Sequence, residues 1–308
     1  MDAALCRLLN RPPYKSFGKE PLKAMIRSII ALLLTKLRYG ISLALAIVMF
    51  PCLSFASDFV IGITPHTSAR VILRMYEPLR LYLTQSLGMP VVIVTAPNFT
   101  EFARRALNQE YDLAITTGHQ ARMLETDAQY LPLLTYKADF KAVAIVAVGG
   151  SIHKPNDLRG TNVLGLGAAS LVTLWGQHWL AQNGLADVHV NYVSASDSVA
   201  QLLIDGEAAA GFTSQANFDA LAPDIQGQLR ILAESKPMAG RVYLLNNRHS
   251  HKRKAINSAL WGFAETAEGK RYFKESKLDG YRKLKPGELK SMEPYAAEVR
   301  KILQTESR

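Results

Sequence analysis

The sequence predicts an α/β protein of two lobes, each a mostly parallel sheet flanked by helices, with a ligand cleft between them. Three observations predict it. Short apolar runs alternate with segments of helical period in two successive blocks. The chain crosses between the blocks near 149 and returns near 237–241. The ends of the apolar runs that precede helices carry hydroxyl residues in both blocks.

The first strand is 58–64, an apolar run closed by Pro65, of the kind buried on both faces. Thr67 can cap a helix running to Leu87, with apolar positions at Val71, Ile72, Met75, Leu79, Tyr82 and Leu83. Pro78 should kink or divide it, and Gly88 should stop it. Residues 90–95 form a second strand, and Asn98 or Thr100 caps a helix ending at Asn108. Residues 111–116 form the third strand, followed by a short helix around 120–124. Further strands are expected at 131–136 and 142–148. After Gly149 and Gly150 a second series begins, with strands at 161–166, 189–193, 208–213 and 230–234. Its helices start after Ser170 and after the hydroxyl-rich stretch 194–197. A last clear strand is 240–245, and the tail reads as helix from about 252 to 275 and again from 288 to 305. These readings place one lobe at 57–148 with 239–308, and the other at 149–238.

Residues 1–56 read as a leader. Residues 40–53 carry no charge; Arg27, Lys36 and Arg38 precede them, and Ser54-Phe55-Ala56 follows. A basic region, a short apolar core and a small-x-small site describe a secretory signal peptide cut near Ala56-Ser57. The core is shorter than the roughly 20 apolar residues of a membrane span. Met25 is an alternative start, with 1–24 an extension. Both cysteines, Cys6 and Cys52, fall in the leader, so the exported chain would contain neither a disulfide nor a thiol nucleophile. The expected location is the periplasm.

The formal charge is +10, which at first suggests nucleic acid. Its distribution argues otherwise. The leader carries +6, residues 57–235 carry −5 and residues 236–308 carry +9. The dense basic cluster at 248–254 reads as a solvated loop or helix start. No nucleic-acid partner is expected.

In open α/β sheets, ligands bind beyond the carboxyl ends of the parallel strands. Here those ends and the helix starts beside them supply Thr64, Thr67, Thr116, Thr117, Ser170, Thr173, Ser196, Thr213 and Ser214, with Asn98, Phe99, His66 and His119 close by. Helix N-termini offer free N–H groups and partial positive charge, which suit small anions. No Lys or Arg lies between Arg159 and Arg230. An anion in the second lobe would therefore be held by hydroxyls and backbone N–H groups. A neutral or zwitterionic ligand stays open, with Asp197 able to meet an amine.

Several stretches resemble the periplasmic solute-binding proteins of ABC importers, in particular the phosphate/phosphite/phosphonate branch with the type II two-lobed fold. They are Gly62-Ile63-Thr64-Pro65, Tyr76-Glu77-Pro78-Leu79, Ala96-Pro97-Asn98-Phe99 and Tyr111-Asp112-Leu113-Ala114 in the first block. In the second block they are Asp157-Leu158-Arg159-Gly160, the stretch 196–206, and Ala209-Ala210-Gly211. The resemblance implies capture of a small ligand in the cleft by hinge closure, near 147–151 and 236–242, and delivery to an ABC permease. A membrane sensor is the alternative partner. The departures bear on the ligand. Phe99 stands where the family has Tyr. The Ser/Thr-rich run is reduced to Ser170 and Thr173. Ser196 occupies the place of a His, and His119 lies near a missing Tyr.

Enzymatic readings find little. There is no Gly-x-Ser-x-Gly elbow, no Walker loop and no dinucleotide fingerprint. The histidine spacings match no zinc pattern. The expectation is a monomeric binding protein, not an enzyme, with no cofactor and no metal.

Overall fold

The computed structural model describes residues 58–193 and 196–306, the side chains of Asp197 and Glu306 excepted, together with Met25, Arg27, Ser28, Ala31 and Leu32. The expected apolar leader core, its cleavage site, both cysteines, Ser194 and Ala195 lie outside the described residues. Met1–Phe55 and Ala56–Arg308 form separate units. In the first, the described residues are helical and exposed.

Ala56–Arg308 opens with β1 (Phe59–Ile63), β2 (Val91–Thr95) and β3 (Leu113–Thr117). β1 lies between the other two and pairs parallel with both. β3 is buried along its whole length, as an interior strand between β10 (Arg241–Leu245) and β1 is. Between β1 and β2 runs α1 (Ala69–Leu87), with Ile72, Tyr76, Leu79 and Leu83 buried. That spacing lines one helical face. The helix passes Pro78 without a break and ends at Gly88 in the left-handed region, φ 63°. Two shorter helices follow, α2 (Phe99–Leu107) after β2 and α3 (Gly118–Asp127) after β3.

β4 (Leu131–Tyr136), β10 (Arg241–Leu245) and β11 (Tyr281–Arg282) complete a six-stranded sheet, in the order β11-β4-β10-β3-β1-β2. A second, five-stranded sheet has the order β7-β6-β8-β5-β9. It comprises β5 (Ala142–Ala147), β6 (Val163–Leu166), β7 (Val190–Val193), β8 (Ala210–Ser214) and β9 (Leu229–Glu234). Its helices include α4 (Leu171–Gln182), α5 (Ser196–Ile204) and the short α6 (Gln215–Asp219) and α7 (Pro223–Gln226). Both sheets are mixed. β10 runs antiparallel between β3 and β4, and β5 runs antiparallel between β8 and β9.

This exchange corrects one expected boundary. β5 belongs with the second sheet, so the chain first crosses at 137–141 and not near 149. It returns at 235–240, close to the expected place. The two crossings run side by side. Met238 N–H donates to Phe140 O at 2.9 Å, Ser235 N–H to Ala142 O at 2.8 Å, and Ala142 N–H to Ser235 Oγ at 2.9 Å.

The tail returns to the first sheet. α8 (Arg253–Glu265) packs on α1, and α9 (Ala267–Glu275) packs on both α8 and α1. α10 (Glu293–Glu306) lies against α2 and α3 and also touches α4. Between α10 and α4 the His178 ring stacks on Tyr295 with centroids 4.9 Å apart, and His178 Nε2 bonds Glu298. The basic cluster is partly structural. Arg248 and His249 both bond the carboxylate of Asp112, which also accepts the Val60 N–H at 2.7 Å. Among the described residues no helix is long and apolar enough to cross a membrane.

Candidate functional site

A cavity of about 90 Å³ lies between the two sheets, at the strand ends nearest the crossings. The first lobe supplies His66, Phe99, Thr117, Tyr136, Asp139, Arg241 and Lys277 to its wall. The second supplies Leu166, Ser170, Leu171, Val172, Ser214 and Asn217. The space suits a ligand of a few heavy atoms.

The strand directions explain this assembly. β3 brings Thr117 to its carboxyl end. β10 is antiparallel to it, so it presents its amino end at the same place, and Arg241 stands opposite Thr117 in the ladder. β4 ends alongside with Tyr136. In the second sheet β8 ends in Ser214, and the loop after β6 carries Ser170 to the start of α4.

Among the described residues, two cations line the cleft, the exposed Lys277 and the more enclosed Arg241. Arg241 Nη1 donates to the Tyr76 hydroxyl at 3.3 Å. Burial opposes its charge, the oxygens of Tyr76, Tyr136 and Tyr272 favour it, and the net direction of its pKa is up. Behind it lies a network of buried tyrosines. Tyr136 OH is 2.7 Å from both Tyr243 OH and Tyr272 OH, and Tyr281 OH donates to Tyr243 OH at 3.0 Å. Burial pushes the tyrosine pKa values up, so these hydroxyls keep their protons.

Ser170 occupies the N-cap of α4 but makes no side-chain cap bond. Its hydroxyl is thereby free to meet a ligand beside the open N–H groups of that helix. Ser214 Oγ accepts the Asn217 N–H at 3.1 Å, which leaves its own hydrogen available.

Two histidines have defined tautomers. His66 Nδ1 lies 2.9 Å from Thr64 O, which can only accept, so Nδ1 carries the hydrogen. Its Nε2 is enclosed and has no partner among the described residues. Burial and then the Arg241 charge lower the His66 pKa to about 3, against the opposing effect of the Thr64 carbonyl. His119 is fully buried. Its Nε2–H donates to Ala169 O of the second lobe at 3.0 Å, and its Nδ1 lies 3.1 Å from Thr117 Oγ1. Burial lowers its pKa to about 4, so the ring is neutral and the Thr117 hydroxyl donates to Nδ1.

Of the residues singled out from the sequence, His66, Phe99, Thr117, Ser170 and Ser214 line this cavity. The others do local work or stand apart. Asn98 caps α2, accepting Glu101 N–H at 2.8 Å. Thr116 donates to Gln120 Oε1 at 2.8 Å, and Gln120 in turn donates to Phe99 O at 3.0 Å. Thr173 Oγ1 accepts Leu166 N–H at 2.8 Å. His119 bridges the lobes beneath the cavity wall. Thr64 and Thr213 are buried at the ends of β1 and β8, with Oγ1 atoms that have no partner among the described residues. Thr67 follows β1 in a bend, and Ser196 begins α5. The side chain of Asp197 lies outside the described residues.

A larger open groove of about 900 Å³ draws only on first-lobe elements, among them Lys254, Lys283 and Lys285. It has no second-lobe wall. Among the described residues no group of three or more metal-ligating side chains converges.

A family model described as ABC transporter, phosphonate, periplasmic substrate-binding protein matches residues 61–289. The chain belongs to this family. The resemblance read from the sequence therefore stands, and so does the type II two-lobed fold. PhnD1 from Prochlorococcus marinus, solved in complex with methylphosphonate, is 14% identical with a TM-score of 0.71, covering 80% of this chain and 99% of its own. XAC2383 from Xanthomonas citri, solved bound to chloride ion, is 20% identical with a TM-score of 0.67, covering 81% and 99%. A binding protein component of an ABC phosphonate transporter from Pseudomonas aeruginosa is 14% identical with a TM-score of 0.64, covering 82% and 99%. No curated protein matches the chain.

Sequence reasoning missed Arg241, Tyr136 and Lys277. Arg241 follows Gly240 at the returning crossing, where it looked like an ordinary strand start. Only the antiparallel insertion of β10 brings it to the ligand end. Lys277 reaches the cleft from the turn after α9, and its Nζ donates to Asp219 O across the lobes at 3.2 Å.

Proposed function

We propose that the chain is an exported receptor that captures a small oxyanion of the phosphonate, phosphite or phosphate kind between its lobes. Delivery is to an ABC permease, and a leader ending near Ala56 directs export. The observation that carries the ligand class is Arg241 in the wall of the same cavity as Ser170, which makes no cap bond at the start of α4. A permanent cation, hydroxyl donors and helix N–H groups suit a compact anion with several oxygens. The family membership and the methylphosphonate held by PhnD1 point the same way. The family is one of transport binding proteins, which fits capture without chemistry.

Closure rests on the paired crossings at 137–141 and 235–240. These are the connections between the sheets, and they are hydrogen-bonded to each other. Such a pair can bend as one hinge while each sheet stays rigid. A ligand that touches both lobes only when they are closed then shifts the population toward closure. Calorimetric titration with methylphosphonate, phosphite and phosphate tests the ligand class. At least one should bind with saturable heat, and small-angle scattering should show compaction at saturation. If none of the three binds, the ligand class is wrong. Binding without compaction removes the hinge.

A further inference from the structure

We propose that two places on the first-lobe wall of the cleft, His66 Nε2 and the Thr117 hydroxyl oxygen, are hydrogen-bond acceptors, which select an oxyanion still carrying a hydrogen over an equally shaped one that carries none. The inference rests on the oxyanion reading above and narrows it. Two separate hydrogen-bond chains fix the acceptor character, and neither depends on the other.

The first is at His66. Its Nδ1–H is committed to Thr64 O at 2.9 Å, and its Nε2 is enclosed with no partner among the described residues. In a neutral ring that nitrogen has only a lone pair to offer. Burial and the adjacent Arg241 keep the ring neutral, with a pKa of about 3.

The second is at Thr117. His119 Nε2 faces the Ala169 carbonyl at 3.0 Å, so its hydrogen sits on Nε2 and Nδ1 is bare. The Thr117 hydroxyl, 3.1 Å from Nδ1, must then point its hydrogen at the histidine. Toward the cavity Thr117 turns only lone pairs. An acceptor residue thus stands directly opposite Arg241 in the β3–β10 ladder.

The ligand chemistry follows. Arg241 and the second-lobe hydroxyls satisfy charged oxygens. His66 and Thr117 require a hydrogen from the ligand. A singly protonated phosphonate or phosphate provides one on an oxygen. A sulfonate is fully ionised, and its oxygens would meet lone pairs at both places.

The test is calorimetric titration of the exported chain with methylphosphonate and methanesulfonate, which share a tetrahedral shape. Near neutral pH the wild type should bind methylphosphonate about tenfold to a hundredfold more tightly, the range for one or two buried hydrogen bonds lost. In Thr117→Val, which keeps the side-chain shape, and in His66→Phe, the gap should narrow. Equal affinity of the wild type for the two anions overturns the inference and leaves the oxyanion reading intact. So does an undiminished gap in both variants, each checked as folded by circular dichroism. Failure of both anions to bind overturns this inference, and the oxyanion reading falls with it only if phosphite and phosphate also fail to bind.

Discussion

Replacing His119 with leucine tests the bond that ties the lobes beneath the cavity. The substitution removes two hydrogen bonds from a fully enclosed place, Nε2–H to Ala169 O at 3.0 Å and Thr117 hydroxyl to Nδ1 at 3.1 Å. Each buried group left without a partner costs about 1–3 kcal/mol, so the loss at neutral pH is about 2–6 kcal/mol. For a chain of this size each kcal/mol moves the melting temperature by about 2–4 °C, giving a fall of about 4–24 °C. The second signature is the pH dependence. His119 has its pKa lowered from 6.5 to about 4 by burial. The folded state therefore refuses a proton that the unfolded chain accepts. The stability is fully present above about pH 6.5 and is lost as the pH falls from there toward about 4. A gap of about 2.5 units at about 1.4 kcal/mol each gives a loss of about 3 kcal/mol across that window. His66, lowered to about 3, adds a slope of the same sign in both proteins, and it cancels in the comparison. Urea unfolding at a series of pH values should show the wild type losing about 3 kcal/mol more than His119→Leu by about pH 4. Parallel stability curves for the two proteins would refute the assignment of a neutral, bridging His119.

Three further outcomes are expected. Ser170→Ala should weaken binding of methylphosphonate by about twofold to tenfold while the melting temperature without ligand stays within about 2 °C, because the hydroxyl makes no cap bond. Gly62→Ala should destabilise the protein by about 1–3 kcal/mol in chemical unfolding, since a Cβ there would stand 2.4 Å from the buried Tyr111 ring. Asp112→Ala should cost about 3 kcal/mol in the same assay, because it leaves the Val60 N–H unpaired and releases Arg248 and His249.

Much of the fold was legible because apolar periodicity reports burial directly. The runs at 58–64, 90–95 and 111–116 became β1, β2 and β3 within a residue or two. Pairing partners are a different matter. Nothing in Ala142–Ala147 distinguishes a strand of the first sheet from one of the second, because either site buries both faces. The same limit hid Arg241. The rule that ligands lie at carboxyl ends holds for parallel strands, and β10 is antiparallel, so the residue of interest sits at its amino end. Hydroxyl positions were legible as a class and not one by one. Ser170 and Ser214 face the cavity, while Thr116 and Thr173 spend their hydroxyls on Gln120 and Leu166. Sequence alone cannot tell a hydroxyl offered to a ligand from one committed to its neighbours. The absence of Lys and Arg from 160–229 was a sound observation with an incomplete consequence, since the first lobe supplies Arg241 and Lys277.

The central claim is that Arg241 holds an oxyanion in the cleft, and Arg241→Met tests it most directly. Methionine keeps an unbranched stem and removes the charge. Calorimetric titration with methylphosphonate should give a dissociation constant raised by about tenfold to a hundredfold, as loss of a charge-assisted hydrogen bond implies. A folded variant that binds methylphosphonate as tightly as the wild type would contradict the account.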